Sequence, residues 1–297
     1  MTTAWPPRTG PEVPARTGGA IPEEGAARNA PVVLLTYGNA GGRRLQSLLE
    51  SEPELTCTTS TGVLAACEHA AAAWRQLEGR PAKGLSPLAV RSVRAMATQM
   101  ITSVTVRTGR SRWCELAAAE PSAAEAFLQV FPGTRFVCLH RACPDLVSEV
   151  LLASPWGLSG AAFAPYVVTY PGSAVAALAA WWAAHASPVL TFERAHPGAC
   201  MRLHYEDLAA DPDAARASVR AFLGLGAPDV QPPAPGKVPA QAPAGAPAPE
   251  PAPAQAPAGA PDREPSADLP LEQIPPALLA QVNQLHAELG YPRLGAS

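Results

Sequence analysis

Residues 31–45 read PVVLLTYGNAGGRRL, and this stretch decides the fold class. Pro31–Thr36 is an apolar run of the length expected for a strand buried on both faces. A glycine-rich turn follows at Tyr37–Gly42, and Arg43–Glu50 then has helical spacing. Strand, glycine-rich turn and helix N-terminus together make a place for an anion. Backbone N–H groups open the helix there, and its dipole favours negative charge. Gly38, Gly41 and Gly42 allow close backbone approach, and Arg43 and Arg44 add guanidinium groups suited to phosphate oxygens. The same residues also fit an ordinary strand-to-helix turn carrying a solvated arginine pair. The loop is not a Walker A loop, because the Lys-Ser/Thr of that motif is missing.

The pattern repeats outward from this unit. Helical periodicity runs over Val63–Leu77, Leu88–Val106, Ala123–Phe131, Pro144–Leu152, Ala174–Ala184 (running on after Pro188) and Asp211–Leu223. Apolar strands are expected at Thr134–His140 and Met201–His204, with a short one at Arg112–Glu115. Strands alternating with helices imply a three-layer α/β/α fold with a mainly parallel sheet. Residues 1–30 read as a disordered arm, and 31–226 as the folded body. Residues 227–266, rich in Pro, Ala and Gly, read as an extended linker. Residues 267–297 carry a last helix, with Leu278, Val282, Leu285 and Leu289 on one face, that packs back on the body.

Composition excludes some functions. The formal net charge of −3 leaves no basic footprint for general nucleic-acid binding. No apolar run is read as a membrane span, and no signal-peptide pattern opens the chain, so a cytoplasmic protein is expected. Cys57, Cys67, Cys114, Cys138, Cys143 and Cys200 form no CxxC pair and read as reduced thiols, with no metal site expected.

Two further segments carry chemistry. FPGTRFVCLHR (131–141) sets Arg141 at the C-terminal end of a strand, where open α/β sheets bind ligands. Its planar fork suits phosphate, and a salt bridge to Asp145 is the structural alternative. CMRLHYEDL (200–208) sets Tyr205 just after another strand, either in reach of a nucleotide or as a half-buried structural tyrosine.

Together and in this order, these segments resemble the sulfotransferase family. That family has a PRSGTT-like loop after its first strand, then an FPxAKFIxLxR strand, then xxYEDLxxDP…FLGL. The counterparts here are VVLLTYGNAGGRRLQSLLESEPEL, FPGTRFVCLHR and RLHYEDLAADP…AFLGL. CMRLHYEDL and the terminal IPPALLAQVNQLHAELGYP are closest in flavour to the protein-tyrosine branch, and Cys57 and Cys114 fall where that branch has a cysteine pair. The resemblance covers residues 31–226 and 270–293.

The resemblance implies a P-loop nucleotide-binding type of fold. It also implies transfer of a sulfuryl group from 3′-phosphoadenosine 5′-phosphosulfate to a hydroxyl or amine on a small molecule or peptide, without a metal; charge and hydropathy, as above, leave nucleic acid and membrane out of the expected partners. By match, Asn39, Ala40, Gly41, Gly42, Arg43 and Arg44 surround the phosphosulfate. Arg141 takes the 3′-phosphate, with Ser148 beside the family's serine position, and Tyr205 contacts the nucleotide.

The chain departs from the family pattern at several places. Asn39 stands for a basic residue, and Gly42 and Arg43 for two threonines. Glu149 occupies the place of the phosphate-binding serine, and Leu116 that of a lysine. Thr59 occupies the position of the family base, and a threonine is no general base at neutral pH. Glu68, His69 and Glu115 are substitute bases or structural residues. The departures keep a second reading open, a non-catalytic member that binds a nucleotide or a partner protein. Tyr166 and Tyr170, in an expected loop, and Trp156, Trp181 and Trp182 line an acceptor pocket or pack the core. A P-loop kinase lacks its lysine here.

Overall fold

The computed structural model describes residues 30–79, 84–118, 120–154, 158, 162–226 and 269–295. All of the expected N-terminal arm (1–30) except Ala30, which is buried, and the whole Pro/Ala-rich linker lie outside the described residues. Five strands form one sheet: β1 Val32–Thr36, β2 Leu55–Thr59, β3 Arg112–Ala118, β4 Arg135–His140 and β5 Cys200–His204. Their order is β2-β3-β1-β4-β5 and every pairing is parallel. All five C-terminal ends therefore meet at one edge. Beside β1 the chain leaves on one side and returns on the other, the switch point at which such sheets bind ligands.

The helices are α1 Gly42–Glu50, α2 Val63–Leu77, α3 Pro87–Thr105, α4 Pro121–Val130, α5 Cys143–Ala153, α6 Ala164–Thr169, α7 Ala174–Ala195, α8 Tyr205–Ala210, α9 Pro212–Leu223 and α10 Pro276–Leu289. Alternation along β1 assigns them to two layers. Val33 and Leu35 join the larger core, shared with α2 to α5, α7 and α10. Val32 and Leu34 join the smaller core under α1, α8 and α9. All four side chains are at most 1% exposed, and burial of each contributes about 1.5–3 kcal/mol. The three-layer α/β/α architecture read from the sequence is the one the chain adopts.

Several local expectations need correction. Leu55–Thr59 is a strand, although LTCTT showed no apolar run; β2 is an edge strand stabilised by its ladder with β3. β3 itself runs on to Ala118. Tyr166 lies in α6 and Tyr170 caps it, where a loop was expected, because Pro165 starts a short helix instead of breaking one. Helix α7 passes through Pro188 without a break. The carbonyl that Pro188 leaves without a donor belongs to Ala184, which is exposed to water. By length and composition alone α7 could cross a membrane, contrary to the sequence expectation; 67% of that stretch is buried inside the protein.

A buried carboxylate fixes the turn between α1 and β2. Glu52 is 1% exposed, paired with Arg216 Nε at 2.7 Å and with Arg220 Nη1, both on α9. Removing the carboxylate would leave two guanidinium groups facing a dry hollow. Glu52→Ala is expected to lower stability by about 3 kcal/mol, measured by urea unfolding, whereas the exposed Glu50→Ala should change it little.

Candidate functional site

The site lies where the loop after β1, the end of β4 and the end of β5 meet. Helix α1 begins at Gly42, after an N-cap Gly41 in the left-handed region (φ 93°) that supplies no side-chain cap, and its first turn holds no acidic residue. The Gly42 and Arg43 N–H groups have no intrahelical acceptor, and a helix end of this kind favours an anion, with Gly42 buried and Arg43 exposed. Asn39 also has a positive φ of 60°, and the Ala40 N–H closes the turn onto the Tyr37 carbonyl at 3.2 Å.

Neighbouring side chains require both glycines. A Cβ at Gly41 would lie 2.1 Å from Tyr205 Cδ2, so the Tyr205 ring rests directly on the loop. A Cβ at Gly42 would meet Thr36 Cγ2 at 2.6 Å and Leu116 Cδ1 at 2.8 Å. Leu116, expected at the place of a lysine, is thus packed beneath the helix start.

Arg141 sits directly above Tyr205. Its Cζ is 4.2 Å from the ring centroid, and Nη1 donates to the Asn39 carbonyl at 3.0 Å. Its backbone is fixed as firmly. The Arg141 N–H donates to the Tyr37 hydroxyl at 3.1 Å, and the Trp182 indole donates to the Arg141 carbonyl at 2.8 Å. The structure therefore brings Asn39, Gly41, Arg141 and Tyr205 together. Ala40 is buried beneath the turn, while Arg43 is exposed and Arg44 half-buried on α1; both arginines make interactions within the protein.

One reading changes. The partner of Arg141 is not Asp145 but Glu149, through Nη1 and Oε2, and the Arg141 side chain is only 9% exposed. Ser148, about 100° around α5 from Glu149, makes no hydrogen bond to these groups among the described residues. Thr59 donates to the Gln46 side chain at 2.7 Å, tying β2 to α1 and leaving no base at that position.

The substitute bases are no better placed. Glu115 is 2% exposed and accepts from Thr58, from the Thr61 N–H at 2.6 Å and from the Thr61 hydroxyl at 2.9 Å. Burial pushes its carboxyl above the usual range despite these bonds, and the group serves to hold the β2–α2 loop. His69 is exposed on α2 and bonded to the Ala65 carbonyl, and Glu68 lies next to it.

The aromatic residues divide between core and rim. Trp182 is core. Trp181 abuts Gly38, whose Cβ position is 3.3 Å from the indole, and its own N–H has no hydrogen-bond partner among the described residues. Phe163 and His185 pack on Trp181 at 5.3 and 4.4 Å, and Tyr166 lies beside His185. Trp156 lies outside the described residues. Sequence reasoning missed Phe163 and His185. The helical offset of four between Trp181 and His185 was the available signal.

Helix α10 closes the back of the site. The Ala142 N–H donates to Glu206 Oε1 at 2.8 Å, Tyr291 donates its hydroxyl proton to Glu206 Oε2 at 3.0 Å, and the Cys143 N–H donates to His286 Nε2 at 3.3 Å. His286 Nδ1 donates to the Pro292 carbonyl at 2.8 Å. Only a neutral ring can accept at one nitrogen and donate at the other.

A family model described as "Sulfotransferase family" matches residues 31–229. Among solved structures, the chain is similar to the sulfotransferase domain from the curacin biosynthetic pathway, with 13% identity over 68% of this chain and 76% of that one and a TM-score of 0.45. It is also similar to a sulfotransferase from Alicyclobacillus acidocaldarius (13% identity, 67% and 82% covered, TM-score 0.44). A third is a sulfotransferase from Mycobacterium tuberculosis H37Rv (15% identity, 68% and 69% covered, TM-score 0.44). No curated protein matches the chain.

Two outcomes follow from this geometry. Gly41→Ala should displace the Tyr205 ring and strain the turn, lowering stability by about 1–3 kcal/mol in urea unfolding. Burial holds the His286 pKa below the ordinary imidazole value, outweighing the Pro292 bond and the Glu206 charge. As pH falls below about 6.5, the unfolded state therefore takes up the proton first, and the anchorage of α10 weakens. Amide hydrogen exchange in 276–289 should accelerate between about pH 7 and pH 5.5 beyond its intrinsic change, and His286→Gln should remove the excess. Glu115, shifted upward, works with the opposite sign at lower pH, which makes a local readout preferable to global unfolding.

Proposed function

The chain belongs to the sulfotransferase family, and on that premise we propose that it transfers a sulfuryl group from a nucleoside phosphosulfate to a small acceptor hydroxyl or amine. The observation that carries this reading is the convergence of three chain segments on one anion-accepting helix end. Gly41 and Gly42 open α1 without a cap, and Tyr205 lies on Gly41 with Arg141 stacked above it. The resemblance read in the sequence names 3′-phosphoadenosine 5′-phosphosulfate as the donor, and the sequence pattern points to the cytoplasm as the compartment.

In this reading the phosphosulfate lies over the N-terminus of α1. As the acceptor oxygen or nitrogen bonds to sulfur, its proton passes to water, the bond to the bridging oxygen breaks, and negative charge collects on the departing phosphate. Preorganised N–H groups at Gly42 and Arg43, with the neighbouring guanidinium groups, favour that charge. We assign the acceptor to the aromatic rim of Phe163, Tyr166 and His185 around Trp181, which adjoins the loop at Gly38. Such a wall favours a flat, apolar acceptor such as a phenol.

One observation favours the second reading, a non-catalytic scaffold: Arg141 is already paired within the chain, with Glu149. Turnover separates the two. Labelled phosphosulfate donors, with and without a phosphate on the sugar, are offered with a panel of phenols, alcohols and amines. Transfer by the wild type, reduced about 100-fold or more in Arg141→Ala, is the expected result. Nucleotide binding without transfer to any acceptor would leave the scaffold reading.

A further inference from the structure

We propose that Glu149 selects the donor by receiving a ribose hydroxyl, so that this site takes a nucleoside 5′-phosphosulfate with an unphosphorylated sugar in preference to the 3′-phosphorylated form. The inference rests on the donor reading above and refines it.

Arg141 is already engaged through Nη1. Its Nη1 serves the Asn39 carbonyl and the Glu149 carboxylate, one face is covered by Tyr205, and Nε is buried with no hydrogen-bond partner among the described residues. The charge of the guanidinium is thus matched from within the chain. Glu149 is not the only carboxylate nearby. Asp145, on the first turn of the same helix, is shifted upward by burial and then by Glu206, while Arg141 pulls it down. It therefore lies in the field of both groups. Glu206 itself is held against the start of α5 by the Ala142 N–H. One guanidinium thus serves Glu149 directly and acts on Asp145, which in turn lies in the field of Glu206.

A sugar phosphate brought to Arg141 would have to push Glu149 aside and then remain in the field of Asp145. Like charges set against each other in an interface are costly. A hydroxyl meets no such obstacle. Only Oε2 of Glu149 is engaged by Arg141, and the side chain is 37% exposed on the side open to solvent. An ionised carboxylate has lone pairs to spare for an O–H donor. The choice has a general counterpart in dinucleotide sites, where an acidic side chain reads a free ribose hydroxyl and an arginine accommodates a phosphate on the same oxygen. Here the arginine is present, but the acidic side chain already occupies it.

Calorimetric titration of the full chain with adenosine 5′-phosphate and adenosine 3′,5′-bisphosphate tests the proposal, using wild type, Glu149→Gln and Glu149→Ser. The wild type should bind the monophosphate about tenfold or more tightly than the bisphosphate, and both variants should lose or reverse that preference. A wild type that binds the bisphosphate at least as well, or a monophosphate preference that survives both substitutions, overturns the role of Glu149 and leaves the donor site standing. Absence of heat with both nucleotides, in wild type and variants alike, overturns the donor reading together with this refinement.

Discussion

The site is organised around one guanidinium in a nearly dry place. Arg141 stands at the end of a strand buried on both faces, with its side chain 9% exposed. A charge so placed must be compensated, and leaving it unpaired would cost several kcal/mol. The fold answers with Glu149 from the helix that follows, the Asn39 carbonyl from the first loop and the Tyr205 ring from the last strand. Each comes from a different strand-to-helix crossing. The pairing of Arg141 is therefore also what fixes the loops around the switch point relative to one another.

This arrangement explains why the first loop can dispense with threonines and a basic residue. Backbone geometry there is set by steric contact: Tyr205 lies on Gly41, and Thr36 and Leu116 press on Gly42. Hydroxyl caps are not needed to hold a loop that its neighbours already confine. The apolar Leu116 removes a charge from the floor of the site but adds packing under α1, so one substitution exchanges electrostatics for rigidity. Positioning of the loop and chemistry at the loop are therefore separable in this chain.

Much of the fold was legible because β1 and β4 carry their own apolar signal, and a buried parallel strand has no alternative to it. The edge strand β2 was not legible. LTCTT is polar enough to pass for a turn, and its conformation comes from the ladder with β3 rather than from its own side chains. The residues of the site were legible as types: glycines at a turn, an arginine at a strand end and a tyrosine after a strand. Their partners were not. Sequence alone could not tell whether Ser148 or Glu149 faces Arg141, because adjacent helical positions differ by about 100° and the orientation of α5 is set by tertiary packing. Glu115 shows the same limit. Its residue type suggested a base, and only its three donors reveal a brace for the β2–α2 loop.

The back wall of the site comes from a segment far away in sequence, and its attachment shows what such a segment must conserve physically. Helix α10 holds the site through few points: His286 at the Cys143 N–H, Tyr291 at Glu206, and its last carbonyls at Arg202 and His204. Each point satisfies a buried or half-buried polar group that would otherwise cost about 1–3 kcal/mol. By comparison, doubling the length of a connection costs only about 0.6 kcal/mol in loop closure. The length between Gly226 and Leu269 is therefore a weak variable, and the contacts made by His286 and Tyr291 are strong ones. A low-complexity insertion can grow there without loosening the pocket, provided the final helix still presents a neutral imidazole and a phenol to the start of α5.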